Sequence, residues 1–404
     1  MNVWSLTLVF GSLSLPTFNA PTKLSRVLSG ARLRTFAFLS LFIISIAHAQ
    51  TNSASPSVPH SSSEQQIETS RLTPTDISEL TTKAEAGDGT AQTQLGMAYR
   101  TGDGVPHDSQ AALLWFRKAA VQGNAVAENY IGVMYRMGDG VSQDKAEAFR
   151  WYATAAKHGS AEAMFNVGAS HYNGDGIGPN EFTAYAWFLL AKDAGDRAAD
   201  DAVRRSSEHA SPSEKAETYL QVAAMYEKGD QIPKDEEKSV RWLRTAADLT
   251  PYSKVVVAMH FLTGPDPSRY YGEALGLCRA AAKGDFPLGQ YCVGYIYRKG
   301  YGVTQDSFEA VKWYQKAAFT VNVPAMMELA EMYSIGEGTK IDRPSAFVLY
   351  VRASMMRVNG ARQKANELAS QMTKDELKKA EGKLRDQRLD PKQVFAALKA
   401  NGPS

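Results

Sequence analysis

Pairs of glycines two residues apart return along this chain at a nearly constant interval, and that interval restricts the fold more than any other feature. Tyr99-Arg-Thr-Gly102-Asp-Gly104-Val105 reappears 36 residues later as Tyr135-Arg-Met-Gly138-Asp-Gly140-Val141, and again as His171-Tyr-Asn-Gly174-Asp-Gly176-Ile177. A second series has marker glycines Gly229, Gly264, Gly300 and Gly336, in steps of 35, 36 and 36. A self-similar period of about 20–50 residues marks stacked supersecondary units that bury their apolar faces on one another. The chain is therefore an array of about seven units, with its function expected on a surface rather than in one pocket.

Each unit reads as a two-helix hairpin. Ala91, Leu95 and Tyr99 are spaced by four, as are Ala127, Ile131 and Tyr135, which places each set on one helical face. Gly96, Gly132 and Gly168 interrupt those helices, and a helical glycine costs about 0.8–1.0 kcal/mol against alanine. Their recurrence predicts a helix crossing too close for a Cβ. The marker glycine then ends the first helix in the left-handed conformation. Asp108, Asp144, Asn180, Asp235, Asp306 and Asp342 stand six places after the marker and predict N-caps of the second helix. Trp115, Trp151, Trp187, Trp242 and Trp313 follow at thirteen places and an alanine four further on, which reads as core packing rather than an aromatic ligand cage.

Leu-Gly-x-x-Tyr-x-x-Gly-x-Gly-Val, followed by Asp, Ala, an aromatic pair and Ala-Ala, resembles the SEL-one-like repeat family, relatives of tetratricopeptide repeats. The resemblance covers residues from near 80 to near 360. It implies an all-α superhelical solenoid acting as an adaptor or scaffold, often in bacterial envelopes.

The step from Gly174 to Gly229 is 55, and the polar stretches 198–205 and 211–217 in the excess read as a helical cap. A similar passage follows Gly360. This predicts two sub-arrays, units 1–3 within 73–217 and units 4–7 within 218–390, with a tail over 391–404. Unit 5 is the irregular one, with Pro265-Asp-Pro267 in place of its glycine turn and Leu277-Cys278 in place of its aromatic pair.

Lys23, Arg26, Arg32 and Arg34 precede or enter an apolar run at 35–47 that ends in Ala47-His48-Ala49. That order predicts a secretory signal cleaved after Ala49, and the run is too short for the roughly 17–25 residues of a membrane span. The uncharged residues 1–22 suggest a true translation start near Val27 or Leu28. Residues 50–72, rich in Ser, Pro and Gln, read as a disordered linker. Without residues 1–49 the chain holds 41 Lys and Arg against 43 Asp and Glu, a formal charge of −2 that argues against nucleic-acid binding.

Catalytic and metal signatures are weak. Ser142-Gln-Asp-Lys145 fits the Ser-x-x-Lys of penicillin-recognising enzymes, but neither Ser-Asp-Asn nor Lys-Thr-Gly completes that set, and both residues fill variable turn slots. The seven histidines form no His-x-x-x-His and no cluster with cysteine, so neither metal nor cofactor is expected. Cys278 and Cys292 either bridge neighbouring units in an oxidising envelope or remain two buried thiols.

The tetratricopeptide likeness implies that first helices line a concave groove. Its slots hold Arg100, Asn129, Arg136 and Phe165, with Thr93, Met97 and Val133, in the first sub-array. In the second they hold Tyr291, Tyr295, Arg298 and Glu331, with Met327. Arginine and tyrosine are enriched at binding hot spots, which makes these the candidate partner-binding residues. The expected protein is a non-catalytic periplasmic or secreted adaptor with a protein partner. The alternative is an envelope enzyme or binder acting on peptidoglycan or β-lactams.

Overall fold

The computed structural model describes residues 72–399. The signal expected over 1–49, the internal translation start and all but the last residue of the 50–72 linker lie outside the described residues. Within them the chain forms nineteen α-helices, one short 3-10 turn and no strand. Helix α1 (Pro74–Glu85) precedes hairpins α2 (Gly89–Thr101) with α3 (Ser109–Ala120), α4 (Ala125–Met137) with α5 (Lys145–Lys157), and α6 (Ala161–Asn173) with α7 (Glu181–Asp193). A single helix α8 (Ala199–Glu208) intervenes. Four further hairpins follow: α9 (Pro212–Lys228) with α10 (Glu236–Ala247), and α11 (Pro251–Thr263) with α12 (Tyr271–Ala282). The last two are α13 (Pro287–Lys299) with α14 (Ser307–Phe319), and α15 (Val323–Ile335) with α16 (Arg343–Met355). Helices α17 (Ala361–Gln371), α18 (Lys374–Asp386) and α19 (Pro391–Lys399) close the array. Successive helices pack on one another in chain order, as the expected α/α solenoid requires, except that α8 and α9 both pack on α7, and α17 and α18 both on α16.

All six expected caps are present. Asp144 accepts from the N–H groups of Ala146 and Glu147 at 3.0 and 2.9 Å, and Asp108, Asn180, Asp235, Asp306 and Asp342 act likewise. Six marker glycines end their helices left-handed, Gly138 with φ 76° among them, whereas Gly264 of unit 5 is extended at φ −70°. Tyr270 gives the following helix no side-chain cap.

The helical glycines allow the close crossing expected of them. A Cβ on Gly96, Gly132, Gly168 or Gly294 would lie 2.6–2.8 Å from a ring carbon of Phe116, Tyr152, Phe188 or Tyr314. These aromatics follow the tryptophan slot by one place and are completely buried. The tryptophan expectation needs correction here: of the five, only Trp187 is buried, and the others are half-buried at the edge of the core. The inward face of the second helix runs through Ala112, Phe116 and Ala119, leaving Trp115 beside it under the Lys118 ammonium, 3.8 Å from the ring centroid.

The glycine turns also join units. A Cβ on Gly140 would lie 2.8 Å from the Ser109 carbonyl oxygen, at the start of the preceding unit's second helix. The acidic residue between the two glycines reaches back as well. Asp103 accepts from the Leu72 N–H at 3.0 Å, Asp139 faces Arg100 at 3.7 Å, Asp175 accepts from Lys145 at 2.7 Å and Glu337 from Arg298 at 2.7 Å. Tyrosines add a second tie: Arg117 donates to the Tyr135 hydroxyl at 2.9 Å and Arg279 to that of Tyr297 at 2.7 Å.

Helices α7 and α16 are buried nearly all round, because α8 and α9 cover the former and α17 to α19 cover the latter. One apolar core runs from Val133 through Leu190 to Val222, Met225 and Tyr226 of α9, across the expected sub-array boundary at 217. The segment expected as a tail from 391 is helical as far as Lys399, since Phe395 stacks on Phe347 with centroids 5.3 Å apart and Leu398 is buried.

Candidate partner-binding face

The first sub-array offers less open surface than its groove slots implied. Asn129 is completely buried and accepts a 2.9 Å hydrogen bond from the Asn166 side chain of the next unit. Phe165 is buried against Phe188, with ring centroids 5.3 Å apart, and Val133 and Thr93 are buried too. Side chains from successive first helices fill these slots, so Asn129 and Phe165 serve packing and do not reach a partner. Arg100 is half-buried between the Tyr130 ring, 5.3 Å from its centroid, and Asp139. Arg136, also half-buried, lies beside the Tyr152 hydroxyl. Both arginines thus tie structure together.

Units 6 and 7 bring the other four candidates together. Arg298 leaves the end of α13 and donates to Glu337 through Nε and Nη2, at 3.1 and 2.7 Å, and to Glu328 through Nη1. Glu331 lies 3.6 Å from the same guanidinium and 3.5 Å from Lys364 of α17. Ser307 donates to Glu337 at 3.1 Å. Burial opposes the charge of Arg298, yet the bonds to Glu337 and the nearby Glu328 raise its pKa above the ordinary arginine value. The same hydrogen bonds from Arg298 hold the Glu337 carboxyl below its usual range.

A tyrosine wall backs this cluster. Tyr291 is buried with its ring centroid 5.7 Å from that of Tyr314, so it supports the face from within rather than contacting a partner. Tyr295 is half-exposed beside Tyr301, and burial together with the Tyr301 hydroxyl pushes its pKa up to about 12. What reaches solvent is Tyr295, Glu328, Glu331 and the edge of Arg298. Carboxylate oxygens and an aromatic ring held in fixed register suit noncovalent recognition of another macromolecule.

Glu328 and Glu337 belong to this face, with the buried Tyr314 behind them, and all three were missed by the sequence reading. A usable signal existed for Glu337: it stands 39 residues after Arg298, the separation of Asp139 from Arg100. Lys145, the lysine of Ser-x-x-Lys, is held by Asp175 at 2.7 Å while Ser142 is exposed in its turn. Cys278 and Cys292 are joined as a disulfide with Cα atoms 5.6 Å apart, linking α12 to α13 inside the core. Where unit 5 lacks its glycine turn, an open cleft of about 530 Å³ lies between Val240 and Tyr270, crossed by a two-pronged Arg244–Glu273 pair at 2.9 Å. Among the described residues no group of three or more His, Cys, Asp or Glu is placed to hold a metal ion.

A family model described as Sel1 repeat matches residues 89–124, 125–160, 161–196, 216–251, 287–318 and 323–357, just over half of the chain. The irregular unit 5 is the one passed over. Solved structures similar to this chain include c5321, a protective antigen of uropathogenic Escherichia coli with an SLR fold. It is 23% identical over 82% of this chain and 76% of its own, with a TM-score of 0.38. Another is a Sel1 repeat protein from Oxalobacter formigenes, 26% identical over 73% of this chain and 80% of its own, with a TM-score of 0.33. No curated protein matches.

Proposed function

The chain belongs to the Sel1 repeat family, and from that premise we propose a non-catalytic adaptor of the bacterial cell envelope or the extracellular space. Sel1 repeat proteins generally mediate protein–protein interaction and are typically scaffolds without catalytic activity. The partner is a protein held on the face of Tyr295, Arg298, Glu328 and Glu331. The observation that carries this reading is the set of ties from Arg298 to three glutamates of the next unit, which fixes the polar groups before any partner arrives. Preorganisation of this kind lowers the entropic cost of binding.

Export rests on the basic and apolar order of residues 23–49, and the Cys278–Cys292 bridge supports an oxidising compartment. Among the described residues no helix is long and apolar enough to cross a membrane.

The test is affinity capture from envelope extract with residues 50–404, run beside a Tyr295→Ser/Glu331→Lys variant of unchanged helicity. These changes spare Arg298, whose replacement by an acid would crowd four carboxylates and unfold the rung. A protein captured by the wild type and lost with the variant supports the adaptor and its face. Equal capture moves the interface elsewhere on the array. Failure to capture any protein overturns the adaptor reading.

A further inference from the structure

The loops that lead out of units 5, 6 and 7 differ in character from those before them. In every unit but the fourth, the second helix is followed by a residue that turns the chain left-handed, and in units 1–3 that residue is Gly123, Gly159 or Gly195, with φ 75°, 92° and 98°. In units 5–7 the slot holds Asp285, Val321 and Arg357, at φ 55°, 66° and 59°. A left-handed backbone crowds any Cβ against the following carbonyl oxygen, and a β-branched residue there is a genuine outlier. Val321 accepts that strain without the return of burial, because it is 50% exposed. Strain kept at an exposed site calls for a function that repays it.

The neighbours of Val321 share its exposure. Phe319 is 87% exposed, and Met355 and Met356 on the next rung are 60% and 42% exposed. Units 2 to 5 carry Lys157, Asp193, Asp248 and Lys283 in the slot of Phe319, while unit 1 carries the exposed Val121 on its own, without an apolar neighbour on the next rung. Charge on this edge is one-sided. Around the tips, residues 313–327 hold Lys316 and no acidic residue, and residues 350–366 hold Arg352, Arg357, Arg362 and Lys364 and no acidic one, Lys364 being paired with Glu331. Lys283, Lys316 and Arg357 are exposed, with Lys316 one helical turn before Phe319; Asp285 is the sole acidic residue of the three loops.

We propose that this edge docks on an anionic lipid bilayer. Phe319, Val321, Met355 and Met356 enter the interfacial layer, while Lys283, Lys316 and Arg357 meet the phosphate headgroups. The apolar side chains stand on separate protruding tips rather than in a groove, a shape that a fluid boundary accommodates. Apolar insertion and basic attraction together are the two terms that hold a peripheral protein on anionic lipid. Attachment is peripheral, and it is independent of which protein the Tyr295 face binds.

The experiment is flotation of residues 50–404 with phosphatidylcholine vesicles, alone or equimolar with phosphatidylglycerol. Flotation is expected only with the anionic vesicles. Phe319→Ser/Met355→Gln/Met356→Gln is expected to weaken it about tenfold or more. Val321→Gly is expected to raise the melting temperature while weakening flotation, a pair of signs that a purely structural residue does not produce. Wild-type protein that stays unbound, or triple-variant protein that floats equally well, overturns the proposal. Self-association in sedimentation that the triple substitution abolishes, with no flotation, would assign the patch to a second copy and overturn it too.

Discussion

Gly132 lies so close to Tyr152 that a Cβ on the glycine would come within 2.6 Å of the ring. Overpacking of this kind costs about 1–3 kcal/mol, more than the ~0.8–1.0 kcal/mol of helix propensity that alanine would add. Gly132→Ala is therefore expected to lower stability in urea denaturation. Unit 4 shows the compensated form, with Ala223 and Leu243 in the two slots. Adding Tyr152→Leu to Gly132→Ala should cost less than the two single changes summed.

Asp144 binds two free N–H groups at the start of α5. Asp144→Ala is expected to cost about 1 kcal/mol and Asp144→Asn much less, because the amide oxygen still accepts. Equal melting temperatures for wild type and the alanine variant would contradict the capping role.

The Cys278–Cys292 bridge closes a loop with a sequence separation of 14. Replacing both cysteines with alanine is expected to cost about 3 kcal/mol through the freed unfolded chain. Amide exchange should rise first in α12 and α13. Reductant added to the folded protein should leave it unchanged, since both sulfurs are buried.

His171 occupies the tyrosine slot of unit 3, edge-on to Phe149 with centroids 5.5 Å apart. Burial disfavours its imidazolium and holds its pKa below the ordinary value of about 6.5. The unfolded chain takes up that proton more readily, so stability is fully present above the ordinary value and declines as pH falls through it. His171→Tyr should flatten the fall in melting temperature on acidification from neutrality.

Contacts within one unit were legible in the sequence; contacts between units were much less so. Asp144 and the N–H groups that donate to it lie two and three residues apart, and Gly132 and Tyr152 belong to one hairpin, so a repeated spacing exposes both. The burial of Asn129 and Phe165 depends on how closely the next first helix approaches, which is a property of the superhelix and not of any one unit's pattern. The Gly-Asp-Gly turn illustrates the difference. Its glycines were read as a helix stop, yet Asp139 and Gly140 also bear on the rung before, and only the stack reveals that second duty. The Arg298 cluster was half visible: its arginine stood out by type, while Glu328 and Glu337 looked like ordinary surface charge.

Unit 5 forgoes the glycine turn with which units 2, 3, 6 and 7 clasp the rung before, and it is bonded covalently to unit 6, whose Gly302 also rests on it. The covalent link shifts the weak points of the array. Under tension between the chain ends, as in an optical trap, the clasped rungs would separate one after another. Units 5 and 6 would come away as a single block, in a step that falls short of two units by the chain held between Cys278 and Cys292 and so marks where the ladder is welded.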